Sequence, residues 1–143
     1  MNMIFNILQL ILLFVAAVFD IKKKEISLWL ITAMAAISIS DGILEVFYHK
    51  SSPKEMLICL IPGACLMILS AISRQSIGMG DGLIVAAIGL SFGIYRLLLG
   101  VSVALFISGI MSIILIVIRK AGKKDTFPFV PFIFAGMVVS MFA

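Results

Sequence analysis

Residues 97–118 read LLLGVSVALFISGIMSIILIVI, a run of twenty-two positions without a charged side chain. A membrane-spanning helix needs about 20 consecutive apolar residues, so this run alone predicts a transmembrane helix. The whole chain has the same character, because 63% of its 143 residues are hydrophobic and only 13% are charged. A chain of this length has too much surface to hide so many apolar side chains in one soluble core. Composition therefore excludes both a soluble globular fold and a disordered chain.

Five further apolar runs accompany this segment, and short polar or basic stretches separate them. They cover residues 3–19, 26–39 with an extension towards Tyr48, 56–72, 83–92 and 127–143. The run at 83–92 is too short to cross a bilayer alone, so its helix either begins within the preceding glycine segment or continues through Gly93. We therefore predict an all-α integral membrane protein, a bundle of about six transmembrane helices that forms one polytopic domain over residues 1–143.

Basic residues predict the orientation of this bundle. If six spans alternate, eight Lys and Arg residues lie on one side of the membrane and three on the other. The positive-inside rule assigns the richer side to the cytoplasm, which leaves both termini outside. No basic residue precedes the first run, so we interpret it as a retained helix rather than a secretory signal. The richer side contains Lys22, Lys23, Lys24, Arg74, Arg119, Lys120, Lys123 and Lys124.

Metal, cofactor and nucleic-acid sites find no support in the sequence. Cys59 and Cys65 lie six apart in one apolar run without a CxxC pair, so we interpret both as small buried side chains. The single histidine, His49, is predicted to lie in a loop on the outer side. The basic clusters separate apolar runs, as topology signals do, and they indicate contacts with anionic lipids rather than with nucleic acid.

Two of the seven acidic residues differ from the others. Asp20 is predicted to end the first helix, where the helix dipole disfavours an anion, and Asp81 follows a glycine-rich segment. Each has an ordinary explanation, since the neighbouring lysines can neutralise Asp20 and Asp81 can serve as a helix N-cap. The other five are interpreted as solvated or paired interfacial charges: Glu25, Asp41, Glu45, Glu55 and Asp125.

Between Asp20 and Asp81 the chain is predicted to cross the membrane twice, so both residues lie at the same membrane face. Two carboxyl groups held close together in a poorly solvated site do not both ionise readily. The ionised group can then take a proton from water, while the protonated group polarises a peptide carbonyl and later protonates the leaving amine. This is aspartic-protease chemistry, which needs neither a metal nor a cofactor. Glycines at Gly78, Gly80 and Gly82 would let an extended substrate backbone approach Asp81.

These residues resemble a known family. Residues 78–81, Gly-Met-Gly-Asp, together with Ala-Ala-Ile-Gly at 86–89, resemble the GxGD segment of type IV prepilin peptidases and of the related archaeal preflagellin peptidases. Asp20 and the stretch that leads to 26–30 resemble the first catalytic aspartate of that family and the hydrophobic motif after it. Residues 127–132 resemble the proline-containing segment that opens the last helix. The three similarities occur in the family's order over nearly the whole chain.

The resemblance implies a membrane aspartic endopeptidase that cleaves leader peptides of prepilin-like substrates, pilins or pseudopilins, at the cytoplasmic face. Asp20 and Asp81 would form the catalytic pair. Because the chain opens directly on its first helix and lacks the four zinc-binding cysteines of larger members, we expect peptidase activity without methylation. The chain departs from many relatives at Ser27-Leu28, where they carry Pro-Asn, and at Leu83, where they carry lysine.

Two other classes of function stay open. One is an inactive accessory subunit of a pilus or secretion system, which binds its partners without cutting them. The other is a small ion-coupled transporter that uses the two aspartates as ligands, although the sequence contains no pair of similar halves with broken helices. A presenilin-like protease also uses a GxGD aspartate, but the polar surroundings of Asp20 and the small size favour prepilin processing. The substrate, its entry path and the oligomeric state are not determined by the sequence.

Overall fold

The structure, a computed structural model, describes residues 3–23, 27–48, 52–72, 79–119 and 128–143. These ranges contain five α-helices and no strand, so the predicted all-α class is confirmed. The helices are α1 (Met3–Lys23), α2 (Leu28–Phe47), α3 (Pro53–Ile72), α4 (Met79–Arg119) and α5 (Val130–Phe142).

Helix length and composition identify the protein as a multi-pass membrane protein. In the described part of the chain, four helices, α1 to α4, are long and apolar enough to cross a membrane. With 20 or 21 residues, each of α1 to α3 is about 30 Å long, which matches the hydrocarbon core of a bilayer. α5 has 13 residues and is shorter than that core. The count of about six spans stays a prediction.

Successive helices run in opposite directions. The segments that join α1 to α2 and α2 to α3 contain only four and five residues. Such a segment reaches at most about 18 Å, too short to return across the membrane, so each helix must start at the face where the previous one ends. α3 and α4 are antiparallel by direct contact, because Gly63 of α3 meets Ala86 of α4 while Met67 meets Gly82.

α4 is interrupted at Gly93, whose backbone angles of φ 74° and ψ 160° are not helical. This conformation is accessible to glycine and strained for residues that carry a Cβ atom. The Leu97 side chain lies 3.0 Å from the position of a Cβ on Gly89. Residues eight apart in a straight helix are separated by about 12 Å, so the chain bends sharply at Gly93. The short apolar run at 83–92 thus belongs to a helix that begins earlier, at Met79.

Each half of α4 packs against a different neighbour through small residues. The first half contacts α3, where a Cβ on Gly63 would lie 2.5 Å from the backbone nitrogen of Ala86. The second half contacts α5, where Gly136 faces the carbonyl oxygen of Gly100 and lies beside Ala104. α5 in turn packs on α1, with the rings of Phe14 and Phe134 at 5.3 Å. The core between the helices contains Leu13, Met34, Ile84, Ile88, Phe92, Ile133 and Met137.

The helix ends correct two details of the sequence analysis. α1 does not end at Asp20 but continues to Lys23, because Lys22 and Lys23 in the last turn interact favourably with the carboxyl end of the helix dipole. The last helix begins at Val130, and Pro131 occupies its first turn, where a missing N–H costs little.

One cysteine does not lie where the sequence analysis expected it. Cys59 is buried, but Cys65 is exposed on the surface of the bundle, and both are free thiols. Six helical residues correspond to about 600° of rotation, so the two side chains point about 120° apart on α3. They therefore cannot both face the core.

Candidate functional site

Asp20 lies in the last turn of α1 and is only 6% exposed. One of its carboxylate oxygens, Oδ2, accepts a hydrogen bond from the backbone N–H of Val130 at 3.3 Å. The following residues of α1, Lys22 and Lys23, are exposed. Asp20 is therefore turned towards the bundle, whereas the lysines beside it point away from the core.

Val130 explains how a buried carboxylate is tolerated at the unfavourable end of α1. It is the first residue of α5, and the first N–H groups of a helix have no partner within that helix. The positive end of the α5 dipole therefore faces Asp20 and opposes the negative end of the α1 dipole. This contact joins residues 110 positions apart. A contact at such a separation is not visible in the sequence, where only the nearby lysines stand out as neutralising groups.

Asp81 lies in the first turn of α4 and is 5% exposed. An acidic residue in the first turn is favoured by the helix dipole. The next residue, Gly82, packs against α3, since a Cβ there would lie 2.5 Å from Cγ of Met67. Ile84 and Val85, on the following turn, are fully buried. This part of α4 is held on several sides, and Asp81 is fixed along with it.

Hydrogen bonds between the helices define a common level in the bundle, from which the position of each carboxyl along the bundle axis can be measured. Gln9 of α1 and Ser91 of α4 both donate to the hydroxyl of Ser38, so these three residues share a level. Asp20 follows Gln9 by eleven residues, and Asp81 precedes Ser91 by ten. At 1.5 Å per residue, the carboxyls lie about 16 and 15 Å from that level. Because α1 and the first half of α4 run in opposite directions, both lie towards the same end of the bundle.

The glycines proposed to admit a substrate have different surroundings. Gly78 lies outside the described residues, and Gly80 is partly exposed in the first turn of α4. Gly82 is buried against α3, where its missing side chain lets the two helices approach. Close packing thus accounts for the glycine at position 82.

A second group of polar side chains is buried at the other end of the bundle. Asn6, Gln9, Ser38, Asp41 and Ser91 are each at most 1% exposed. Asp41 was predicted to be a solvated or paired charge at the interface, and the prediction of a solvated charge is wrong because its side chain is buried. A signal was present, since Ser38 and Asp41 are spaced three apart on α2, as are Asn6 and Gln9 on α1, which places each pair on one helix face.

The described residues contain no cluster of typical metal ligands. In these ranges, no group of three or more His, Cys, Asp or Glu side chains is arranged to hold a metal ion. His49 lies outside the described residues. Within the described residues, the buried acidic side chains are Asp20 and Asp81 at one end of the bundle and Asp41 in the polar group at the other.

One comparison with known proteins gives a match over most of the chain. A model of the type IV leader peptidase family matches residues 7–117. The matched segment contains Asp20, Asp81 and the whole first half of α4. No curated protein and no solved structure matches the chain.

Proposed function

Since the chain belongs to the type IV leader peptidase family, we propose that it is an aspartic endopeptidase that cleaves leader peptides of prepilin-like substrates. Asp20 and Asp81 are the catalytic pair of this proposal. The observation that carries it is that both carboxyls are nearly buried, on different helices, at the same end of the bundle. Ionisable groups are costly in a membrane and usually mark functional sites.

The reaction we propose uses one proton shared between the two carboxyls. The ionised aspartate takes a proton from a water molecule, whose oxygen attacks the carbonyl carbon of the scissile peptide bond. The protonated aspartate donates a hydrogen bond to the carbonyl oxygen, on which negative charge develops. When the C–N bond breaks, the amine leaves with a proton from the pair, and the products are a carboxylate and a new N-terminus.

Helix ends hold both carboxyls of the proposed pair. Asp20 accepts a hydrogen bond from Val130 at the N-terminus of α5, and this contact fixes the orientation of its carboxyl group. The roles of base and acid are proposed for the pair as a unit, because Asp81, in the first turn of α4, also lies at a helix N-terminus. Gly78 and Gly80 are proposed to let the substrate backbone approach Asp81, and Gly82 to position the helix that carries it.

The proposed site faces the cytoplasm. Eight of the eleven Lys and Arg residues fall on the side where α1 ends, if the chain crosses six times. Membrane lipid and the hydrophobic helix of a prepilin-like substrate are then the partners of the apolar outer surface. Nucleic acid is not proposed as a partner.

A cleavage assay with matched variants tests this function. The purified protein is incubated in detergent or in liposomes with several prepilin-like substrates, beside Asp20→Asn and Asp81→Asn. We expect the parent to cleave and each variant to lose at least about a hundredfold in rate, because general acid–base catalysis contributes on that order. The double variant should be no slower than the singles, since the two groups act as a unit.

Glu55→Gln is the matched control, because it removes an exposed carboxylate far from the pair. Glu55 accepts a 3.4 Å hydrogen bond from the Ser52 N–H at the start of α3, and glutamine preserves this capping arrangement. The control should cleave at the parental rate. Persistent cleavage by Asp20→Asn or Asp81→Asn would reject the proposed pair. Absence of cleavage by the parent on all substrates would favour the accessory-subunit function.

A further inference from the structure

In the buried polar group at the end of the bundle opposite the aspartate pair, Gln9 is held by hydrogen bonds from its amide nitrogen. The side-chain amide nitrogen of Gln9, Nε2, donates to the carbonyl oxygen of Met34 at 2.7 Å and to the Ser38 hydroxyl at 2.6 Å. Ser91 donates to the same hydroxyl at 3.0 Å. Both protons of the Gln9 amide nitrogen are thus used, which fixes the amide orientation.

The opposite atom of that amide is left without a protein partner. Oε1 of Gln9 is buried and accepts no hydrogen bond within the described residues. The oxygen and nitrogen of the Asn6 side-chain amide are likewise buried without a hydrogen-bond partner there. Burying an amide without compensation costs on the order of several kcal/mol in a medium that cannot form hydrogen bonds. Two such amides on one helix face therefore point to a ligand.

Helical register brings Asp41 to the level of these amides. Gln9 bonds to Met34 and to Ser38, so it lies opposite the turn between them. Since α1 and α2 are antiparallel, Asn6, three residues earlier, lies opposite the next turn, which runs from Ser38 to Asp41. Asn6 and Asp41 are each 1% exposed, so both face the interior.

We propose that Asn6, Gln9 and Asp41 form a binding site for a monovalent metal cation of the Na⁺ type. The ligands are the Asn6 and Gln9 amide oxygens and the Asp41 carboxylate. Met34 and Ser38 hold Gln9 in the orientation that presents its oxygen, and Ser91 in turn bonds to Ser38. Hard cations prefer oxygen ligands of this kind. A monovalent ion costs less than a divalent ion to hold in a medium of low dielectric constant.

This site would tie α1 to α2 in the half of the bundle that lacks the aspartate pair, and the bond from Ser91 to Ser38 links α4 to α2 there. A ligand that binds only the folded state stabilises it by mass action. At ten times its dissociation constant, Na⁺ raises the folding equilibrium constant about elevenfold, which corresponds to a rise in Tm on the order of 5 °C for a chain of this size. The proposal does not depend on the peptidase function.

The test measures binding of ²²Na⁺ and thermal unfolding of the full chain in detergent. Na⁺ is exchanged for choline at a constant ionic strength of about 0.15 M. We expect one bound Na⁺ per chain and a Tm that rises with Na⁺ but not with choline. Asp41→Asn, which keeps the shape of the side chain, should reduce both effects at least tenfold. Asn6→Leu should abolish the Na⁺ response. In choline, this variant should unfold at a Tm no lower than that of the parent, because the substitution removes a buried amide without a hydrogen-bond partner.

Two control variants locate the effect. Ser40→Ala alters an exposed hydroxyl of the same helix, bonded to the Ala36 carbonyl at 2.8 Å, and should keep the full Na⁺ response. The double variant Asp20→Asn/Asp81→Asn should also keep it, which distinguishes this site from the aspartate pair. Equal Tm in Na⁺ and choline, or an unchanged response in Asp41→Asn, would overturn the proposal and leave the polar group a structural network.

Discussion

Replacing Gly63 with alanine tests whether the contact between α3 and α4 holds Asp81 in place. A Cβ at position 63 would lie 2.5 Å from both the Cβ and the backbone nitrogen of Ala86, and 2.6 Å from its Cα. Carbon atoms in favourable contact are about 3.5–4.0 Å apart, so the two helices must separate by about 1 Å. Backbone atoms are among those in the way, and rotation of a side chain cannot relieve the clash.

The expected magnitude follows from two opposing contributions. Overpacking of this kind costs about 1–3 kcal/mol, whereas Gly→Ala in a helix interior gains about 1 kcal/mol. We expect the free energy of unfolding to fall by up to about 2 kcal/mol. Asp81 is five residues from Ala86 on the same helix and moves with it. A displacement of about 1 Å reduces catalysis about a hundredfold, so activity should suffer more than stability.

Gly109→Ala provides a matched control for this experiment. Position 109 lies in the second half of α4, and a Cβ there would meet no atom within 4 Å. Only the gain in helix propensity remains, so this variant should be as stable as the parent or more stable, with unchanged cleavage. Both variants are compared by thermal unfolding in detergent and by the prepilin cleavage assay. If Gly63→Ala matched Gly109→Ala in both measurements, the argument from close packing would be refuted.

Three further predictions concern the bend, the buried hydroxyls and the orientation. Gly93→Ala places a Cβ on a residue with φ 74° and should lower stability by more than about 1 kcal/mol, visible as a lower Tm; an unchanged Tm would contradict the strained bend. Ser91→Ala removes the hydrogen bond to Ser38 and should cost about 1 kcal/mol, again measured by unfolding, whereas no loss would mean that this bond is dispensable. In a variant without native cysteines, Ser27→Cys should react with an impermeant maleimide from the cytoplasmic side and Ser52→Cys from the other side; the reverse pattern would invert the proposed orientation.

The helices of this bundle were predictable because lipid imposes a simple rule on sequence. Apolar runs of about 20 residues must be helical in a bilayer, and α1, α2 and α3 appear where such runs occur. The start of α4 at Met79 was one of two alternatives, since a glycine segment can precede a helix or form part of it. The bend at Gly93 was harder to predict, because an apolar run has the same composition whether its helix is straight or bent.

The surroundings of the acidic residues were only partly predictable. The number of membrane crossings between Asp20 and Asp81 can be counted from the apolar runs. The prediction that both residues lie at the same end of the bundle therefore follows from the sequence. The bond from Val130 to Asp20 depends on how α5 packs against α1, and periodicity along one helix does not contain that information. Asp41 was assigned to the interface for the same reason, since its burial depends on the helices that cover it.

The glycine contacts between α3 and α4 fix the height of Asp81 relative to α3. Met67 faces Gly82, Gly63 faces Ala86 and Cys59 faces Gly89, so each pair blocks sliding of one helix along the other. When a bilayer becomes thinner or thicker, helices respond by tilting. Because these contacts prevent α3 and α4 from sliding past each other, we expect the two helices to tilt together. The height of Asp81 relative to α3 is therefore a property of the protein and not of the surrounding lipid.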